Sequence, residues 1–151
     1  MLSPDLQRLS HIRDYCLEIE QTIKRYGDSF DTFSADTDYQ KSISFSIMQI
    51  GELSNGLSDD YRKQTADIIP WSAIRGMRNL FAHNYGSMSS EIIWKTAKED
   101  IPGLLSFVEK ALAIEKQQKD SVLARLEKAK EEVKQQELRD KDKINNKDIS
   151  I

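Results

Sequence analysis

The sequence predicts an all-α protein, folded as an up-and-down four-helix-type bundle. Apolar residues recur at steps of three and four over long segments, which is helical spacing. The 151 residues include only 6 glycines and 3 prolines, so few positions break a helix. No segment shows the apolar–polar alternation, bounded by hairpin turns, that a strand would need. Four principal helices with short or medium connections favour an up-and-down arrangement.

The first two predicted helices each carry one apolar stripe. Gly27 follows the first stripe as a natural stop. Gly51 lies inside the second helix, where the absence of a side chain would permit close packing of a neighbour. The first stripe contains Leu9, Ile12, Cys16, Ile19, Ile23 and Tyr26, and the second contains Tyr39, Ile43, Ile47, Ile50 and Leu57.

The third and fourth helices complete the predicted bundle. Pro70 suits the start of the third, and Gly86 is a candidate cap at its end. Ser89 or Ser90 can cap the fourth, and Pro102 should kink that last helix because proline lacks a backbone donor. The third helix should bury Ile74, Met77, Leu80 and Phe81, and the fourth Ile93, Ala97, Ile101, Leu104, Leu105, Val108 and Leu112.

The composition changes near residue 115. Ten basic and nine acidic residues lie between Glu115 and Asp148, around a thin apolar stripe at Val122, Leu126, Ala129 and Val133. We therefore expect a bundle over residues 1–115, a charged helical C-terminal extension over 116–140 and a disordered tail over 141–151. The extension is either a solvated continuation of the last helix or an arm that packs on a partner or on a second copy.

The bulk composition limits the class of protein. The net charge of −3 gives no overall field for nucleic acid, so anion binding would need a local patch. Cys16 is the single cysteine, which fits a reducing compartment and excludes a disulfide framework. The sequence has neither a bilayer-length apolar run nor a signal-peptide layout at its start. We expect a soluble cytoplasmic protein with no membrane contact.

A local basic patch lies on the third helix, around the segment MRNLFAHNYG at residues 77–86. No acidic residue occurs between Ile68 and Ser90, whereas Arg75 and Arg78 do. At about 100° per residue, Arg75, Asn79 and His83 share the open side of this helix. Arg78 and Tyr85 lie together at one edge of the apolar arc.

These residue types could cleave RNA. A histidine can take a proton near neutral pH, and an arginine can bind a phosphate and stabilise charge that builds on it. His83 would deprotonate a ribose 2′-hydroxyl, Arg78 would hold the phosphate, and Asn79 would orient either group. Arg75 could contact another RNA phosphate. No nearby carboxylate cluster suits a metal, which argues against metal-dependent hydrolysis.

Two considerations limit this interpretation. Arg78 and His83 are about 140° apart on an ideal helix, so convergence needs a side-chain swing, an unwound last turn or a second subunit. A purely structural interpretation also competes with it. An arginine and a histidine near a helix end are common, since the helix dipole favours histidine there. Tyr85 could pack with its hydroxyl outward.

The motif resembles the signature of HEPN-domain ribonucleases, an arginine followed after four to six residues by a histidine. Tyr85 lies two residues after His83. With this tyrosine, the motif is similar to that of the HepT-like toxin branch. The segments IGE at residues 50–52, IPW at 69–71 and GMRN at 76–79 agree with it. The resemblance extends from about Leu6 to Leu112.

The resemblance implies a HEPN-like homodimer with no cofactor, in which Arg78 and His83 are the catalytic pair of a metal-independent endoribonuclease toxin. It also implies a partner, a minimal nucleotidyltransferase antitoxin that silences the toxin by adding AMP to Tyr85. From its position in the family pattern, Glu52 either assists the site or is an ordinary carboxylate on the helix surface. An alternative function is a non-catalytic binding module that serves as the partner subunit of a nucleotidyltransferase.

Overall fold

The computed structural model describes residues 1–149, which are helical for most of their length and contain no strand. The predicted all-α helical bundle is confirmed. Two short helices in the connections, the second and fourth in chain order, were not predicted. The helices are α1 (Ser3–Tyr26), α2 (Phe30–Ala35), α3 (Thr37–Asn55), α4 (Asp59–Thr65), α5 (Trp71–Asn84), α6 (Ser90–Lys95) and α7 (Ile101–Ile149).

Helices α1 and α3 pack against each other and supply much of the core. Gly27 ends α1 as predicted, with a φ of 121° that favours glycine. Helix α3 ends at Asn55, so Leu57 is buried in the connection and not in a helix, contrary to the prediction. The buried stripes are Leu9, Ile12, Cys16, Ile19 and Ile23 on α1, and Tyr39, Ile43, Ile47 and Ile50 on α3.

Side-chain caps fix the ends of the helices in the connections. The Asp36 carboxylate accepts the backbone N–H groups of Asp38 and Tyr39 at 3.0 and 3.1 Å, which caps α3. Ser58 caps α4 and also binds Asp5, which is 1% exposed. The Ser58 backbone N–H donates to Asp5 Oδ1 at 2.8 Å, and its hydroxyl donates to Asp5 Oδ2 at 2.6 Å. This buried carboxylate therefore joins the start of α1 to the start of α4.

The last helix of the bundle is interrupted where Pro102 predicts a break. Ser89 caps α6, and a π-helical turn over Thr96–Asp100 separates α6 from α7. The Ile101 N–H bonds to the Thr96 carbonyl, five residues back. Pro102 follows as the second residue of α7, and its lack of a backbone N–H agrees with the break in α-helical hydrogen bonding just before it.

Helix α5 is less buried than its sequence predicts. It begins at Trp71 directly after Pro70, and the Trp71 Nε1–H donates to Thr65 Oγ1 at 2.8 Å. Phe81 is 5% exposed, but Leu80 is 48% exposed, so the prediction that Leu80 faces the core is wrong. Neighbouring residues differ by about 100° around a helix, and α5 meets α3 through the side that carries Phe81.

The end of α5 also differs from the prediction. The helix stops at Asn84, and a 3₁₀ turn follows over Tyr85–Ser87. Gly86 lies inside this turn and lacks a positive φ, so it is not a left-handed C-terminal cap.

The chain divides into two compact units, Met1–Leu112 and the residues from Ala113 onward. In the second unit α7 continues to Ile149, and each described residue from Lys116 on is exposed. The sequence predicts disorder from residue 141, whereas the structure is helical over residues 141–149. A side-chain hydrogen bond from Gln136 to Asp140, one helical turn apart, is of the kind that supports such a helix. Residues 150 and 151 lie outside the described part of the chain.

None of the helices within residues 1–149 is both long enough and apolar enough to cross a membrane.

Candidate active site

The candidate site is built where α5 crosses α3 at Gly51. A Cβ atom on Gly51 would lie 2.6 Å from Arg78 Cβ and 3.3 Å from both Arg78 Cα and the Ile74 carbonyl oxygen. A contact of 2.6 Å is too short for two carbon atoms. The glycine therefore lets the backbone of α5 approach α3 at Arg78, and the predicted close packing at Gly51 is confirmed.

Two neighbouring side chains hold the guanidinium of Arg78. Its Nε donates to Glu52 Oε1 in a short ion pair, and its Nη1 donates to Asn79 Oδ1 at 2.9 Å. The Arg78 side chain is 36% exposed, so the rest of the guanidinium can still be reached from solvent. Asn79 thus contacts Arg78 directly, while Glu52 supplies a charge that competes with any bound phosphate.

A polar cleft of about 310 Å³ opens beside Arg78. Arg75 Nε donates to Asn55 Oδ1 at 2.9 Å, and no carboxylate within residues 1–149 forms an ion pair with Arg75. The cleft is lined by Asn55, Ser72, Arg75, Gly76, Arg78 and Asn79. With two arginines and no acidic residue in its lining, it suits an anion.

His83 does not take part in the contacts that hold Arg78. It is exposed in the last turn of α5 and makes no hydrogen bond or ion pair with the other described residues. No such contact joins it to Arg78. The other histidine, His11, is exposed on α1.

Tyr85 follows α5 in the 3₁₀ turn and is 38% exposed. Its ring stacks on Phe81, with ring centroids 6.2 Å apart and planes inclined by 30°. Its hydroxyl makes no hydrogen bond within the described chain. The Tyr85 ring therefore packs on Phe81, while more than a third of the residue is open to solvent.

The structure adds two features that sequence reasoning missed. A second pocket, of about 320 Å³, is formed by Tyr85 and residues of α3 and α5. An apolar groove of about 480 Å³ lies between α3, α5 and the start of α7, and its lining includes none of Arg78, His83 and Tyr85. The pocket and the groove are each lined by residues from separate helices, and the spacing of residues along one helix does not reveal such contacts between helices.

Cys16 does not belong to the site. It is fully buried on α1, and burial raises the pKa of its thiol from 9.0 to about 12, with Glu20 and Glu109 adding to the shift. A thiol with so high a pKa is a poor nucleophile at neutral pH. No group of three or more histidine, cysteine, aspartate or glutamate side chains that could hold a metal ion occurs within residues 1–149.

The fold and the site together define the class of protein. It is a helical bundle that carries an Arg–x4–His motif on α5, where α5 crosses α3. Residues 12–111 match the family described as Ribonuclease HepT-like. The chain belongs to the HepT-like ribonuclease family, which is a HEPN family and whose activity class is RNA cleavage.

Similar proteins carry matching names. A protein of Caldanaerobacter subterraneus subsp. tengcongensis, named "Putative RNase", is 32% identical over 72% of this chain and 94% of its own. "Probable ribonuclease HepT" of Thermococcus cleftensis is 30% identical over 65% of this chain and 93% of its own. A "Putative RNase" of Methanocaldococcus jannaschii is 31% identical over 51% of this chain and 78% of its own. No solved structure gives a significant match to the chain.

Proposed function

We propose that this protein is a metal-independent endoribonuclease that acts as the toxin of a toxin–antitoxin system in the cytoplasm. The observation that carries the proposal is on α5. Arg78 is held by Glu52 and Asn79, and an exposed histidine without a partner in the described chain follows five residues later, in a stretch without acidic residues.

In the proposed reaction His83 accepts the proton of a ribose 2′-hydroxyl. The 2′-oxygen forms a bond to the adjacent phosphorus, and the bond from phosphorus to the 5′-oxygen breaks. The 5′-oxygen leaves and takes up a proton from an imidazolium or from water. Arg78 stabilises the negative charge that builds on the phosphoryl oxygens. The products carry a 2′,3′-cyclic phosphate and a 5′-hydroxyl.

Arg78 and His83 make no hydrogen-bond contact with each other within the described chain and are five residues apart on α5, which favours a homodimer in which the two motifs face each other. Each copy would then supply residues that a single α5 directs apart. The exposed Leu80 lies on α5 between Arg78 and His83, and a second copy would remove its side chain from water.

Arg75 is the proposed contact for a neighbouring RNA phosphate. Asn55 fixes its Nε, so the remaining guanidinium N–H groups can point to an anion. Arg75, Asn79 and His83 form one row along α5 with a rise of about 6 Å per step. A strand of RNA could follow this row through the polar cleft.

Tyr85 is the proposed target of a minimal nucleotidyltransferase antitoxin, which would transfer AMP to its hydroxyl. The exposure of Tyr85 and its hydroxyl without a partner in the described chain support this. An added phosphate near Arg78 would compete with RNA for the same cation. Tyr85→Phe should keep toxicity and escape silencing, and normal silencing of this variant would instead indicate simple masking by the antitoxin.

One observation favours a second function, a non-catalytic binding module for a nucleotidyltransferase. The Glu52 carboxylate neutralises Arg78, which lowers the attraction of that arginine for a phosphate. A Glu52→Gln variant separates the two functions. If the pair positions Arg78 for catalysis, kcat falls although RNA binds more tightly. If the protein is only a module, neither form cleaves RNA and the nucleotidyltransferase still binds.

The direct test compares wild type and His83→Ala on cellular RNA with a chelator present. His11→Ala is the matched control, since it removes the other exposed histidine. Cleavage by wild type and the control but not by His83→Ala supports the proposal. Equal cleavage by all three, or cleavage by none, contradicts it.

A further inference from the structure

Two half-exposed aromatic rings flank a pocket that the proposed reaction does not use. Phe45 on α3 is 52% exposed and Tyr85 is 38% exposed, with Phe81 buried beneath Tyr85. The pocket measures about 320 Å³ and is lined by Lys41, Ser44, Phe45, Met48, Phe81 and Tyr85. Large aromatic surfaces beside one small pocket indicate a ligand with a flat ring.

Each of the two rings also contacts another aromatic ring of the chain. Phe45 makes an edge contact with Tyr15, with ring centroids 6.4 Å apart. Tyr85 rests on Phe81 at 6.2 Å. Rigid aromatic rings bind flat ligands at little cost in conformational entropy.

The pocket also contains groups that suit a nucleotide. Lys41 is exposed at its edge and forms no ion pair within residues 1–149. Ser44 is 4% exposed, and its hydroxyl is buried without a hydrogen-bond partner in the described chain. A buried hydroxyl of this kind needs an explanation, and a polar ring atom of a ligand would supply its partner after one side-chain rotation. A purely aliphatic ligand would leave both groups unused.

The pocket and Arg78 lie along the same contact between α3 and α5. Gly51 meets Arg78, and the pocket residues of α3 precede Gly51 by one to three turns. Tyr85 lies in the 3₁₀ turn just beyond the end of α5, and its ring stacks on Phe81, which is three residues after Arg78 on α5. A nucleotide whose phosphate reaches Arg78 could therefore place its base towards Phe45 and Tyr85.

We propose that Phe45 and Tyr85 form a nucleobase-binding pocket beside the Arg78–His83 motif. The base belongs either to the RNA nucleotide next to the cleaved bond or to a nucleoside carried on Tyr85. The first source rests on the proposed ribonuclease reaction, and the second rests on the proposed modification. The pocket itself requires neither.

The first experiment measures RNA binding without cleavage. A fluorescent oligonucleotide with 2′-O-methyl groups lacks the proposed nucleophile, and an abasic oligonucleotide of equal length has the same charge. Wild type should bind the base-bearing strand about five- to a hundredfold more tightly, the range expected for one base–aromatic stack. Phe45→Ala should lose this preference, Phe45→Trp should keep it, and the exposed control Ile92→Ala should not change it.

The second experiment tests the other source of the base. Saturation-transfer NMR compares AMP with ribose 5-phosphate, in wild type and Phe45→Ala. One result assigns the pocket to the nucleoside on Tyr85: saturation transfer reaches the base protons of AMP in wild type but not in Phe45→Ala, and the oligonucleotide assay shows no base preference. A base preference of the oligonucleotides that depends on Phe45, without saturation transfer to the base protons of AMP, assigns the pocket to RNA.

The proposal is overturned if Phe45→Ala changes neither measurement, or if it weakens both oligonucleotides equally. Cleavage of unmodified RNA by wild type is measured in parallel. A base preference that depends on Phe45 in a protein that does not cleave RNA would retain the pocket and contradict the ribonuclease reaction.

Discussion

Replacing Gly51 by alanine should displace Arg78 and reduce RNA cleavage. The new Cβ would lie 2.6 Å from Arg78 Cβ, whereas carbon atoms in contact prefer about 3.5–4.0 Å. Helix α5 must therefore move away from α3 by roughly 1 Å. A misplacement of this size can reduce kcat by up to about a hundredfold.

The change in stability should be smaller than the change in activity. Overpacking costs about 1–3 kcal/mol, but alanine is favoured over glycine inside a helix by about 1 kcal/mol. The free energy of unfolding should then fall by about 0–2 kcal/mol, which denaturant titration can measure. Steady-state cleavage of a labelled RNA gives kcat beside it.

Gly103→Ala is the matched control, since a Cβ there meets nothing within 4 Å. It should keep wild-type activity and stability or gain slightly in stability. Wild-type kcat in Gly51→Ala would refute the idea that this glycine sets the position of Arg78. Equal loss of activity in both variants would show a general effect of adding a methyl group.

Three further predictions concern the rest of the molecule. First, the protein should lose stability at alkaline pH, because burial raises the pKa of the Tyr39 hydroxyl from 10.0 and of the Cys16 thiol from 9.0, each to about 12. The unfolded chain releases these protons at lower pH, so the stability that the two neutral groups contribute is complete below about pH 9 and is lost as pH rises towards 12. Thermal melts of wild type and Tyr39→Phe from pH 8 to 11 measure how the melting temperature falls with pH. A wild-type melting temperature that does not change over this range contradicts the prediction. Second, Asp5→Ala should cost about 1–3 kcal/mol by leaving both Ser58 donors without an acceptor, whereas Asp14→Ala, exposed on the same helix, should cost little; equal melting temperatures of the two variants would refute this. Third, deletion of residues 116–151 should leave bundle stability and RNA cleavage unchanged, because the first compact unit ends at Leu112. If light scattering shows a smaller oligomer for the truncated protein than for the full chain, the extension is instead an arm between copies.

Periodicity along one helix allowed the core of the bundle to be predicted. The stripe from Leu9 to Ile23 and the break near Pro102 are confirmed because each depends on local spacing or on one residue's chemistry. Helices α2 and α4 were missed because six and seven residues are too few to show a helical period. Leu80 was misplaced because the apolar arc of α5 is wider than the face that contacts α3.

Contacts between helices were harder to predict. The pairing of Arg78 with Glu52 spans 26 residues, and the pocket brings Phe45 to Tyr85 from another helix. Gly51 indicated close packing, but the sequence did not show that Arg78 would be the residue packed against it. The domain limits at residues 115 and 140 and the roles of Arg75, Arg78, Asn79, His83 and Tyr85 stay predictions.

Analysis of the cleaved RNA ends tests the central claim most directly. Wild type, His83→Ala and His11→Ala are each incubated with one defined RNA in the presence of a chelator, and the new termini are identified by mass spectrometry. Attack by the 2′-hydroxyl with Arg78 and His83 predicts 2′,3′-cyclic phosphate and 5′-hydroxyl ends from wild type and His11→Ala, and none from His83→Ala. Termini with a 5′-phosphate, or the same cyclic ends from His83→Ala, would contradict it.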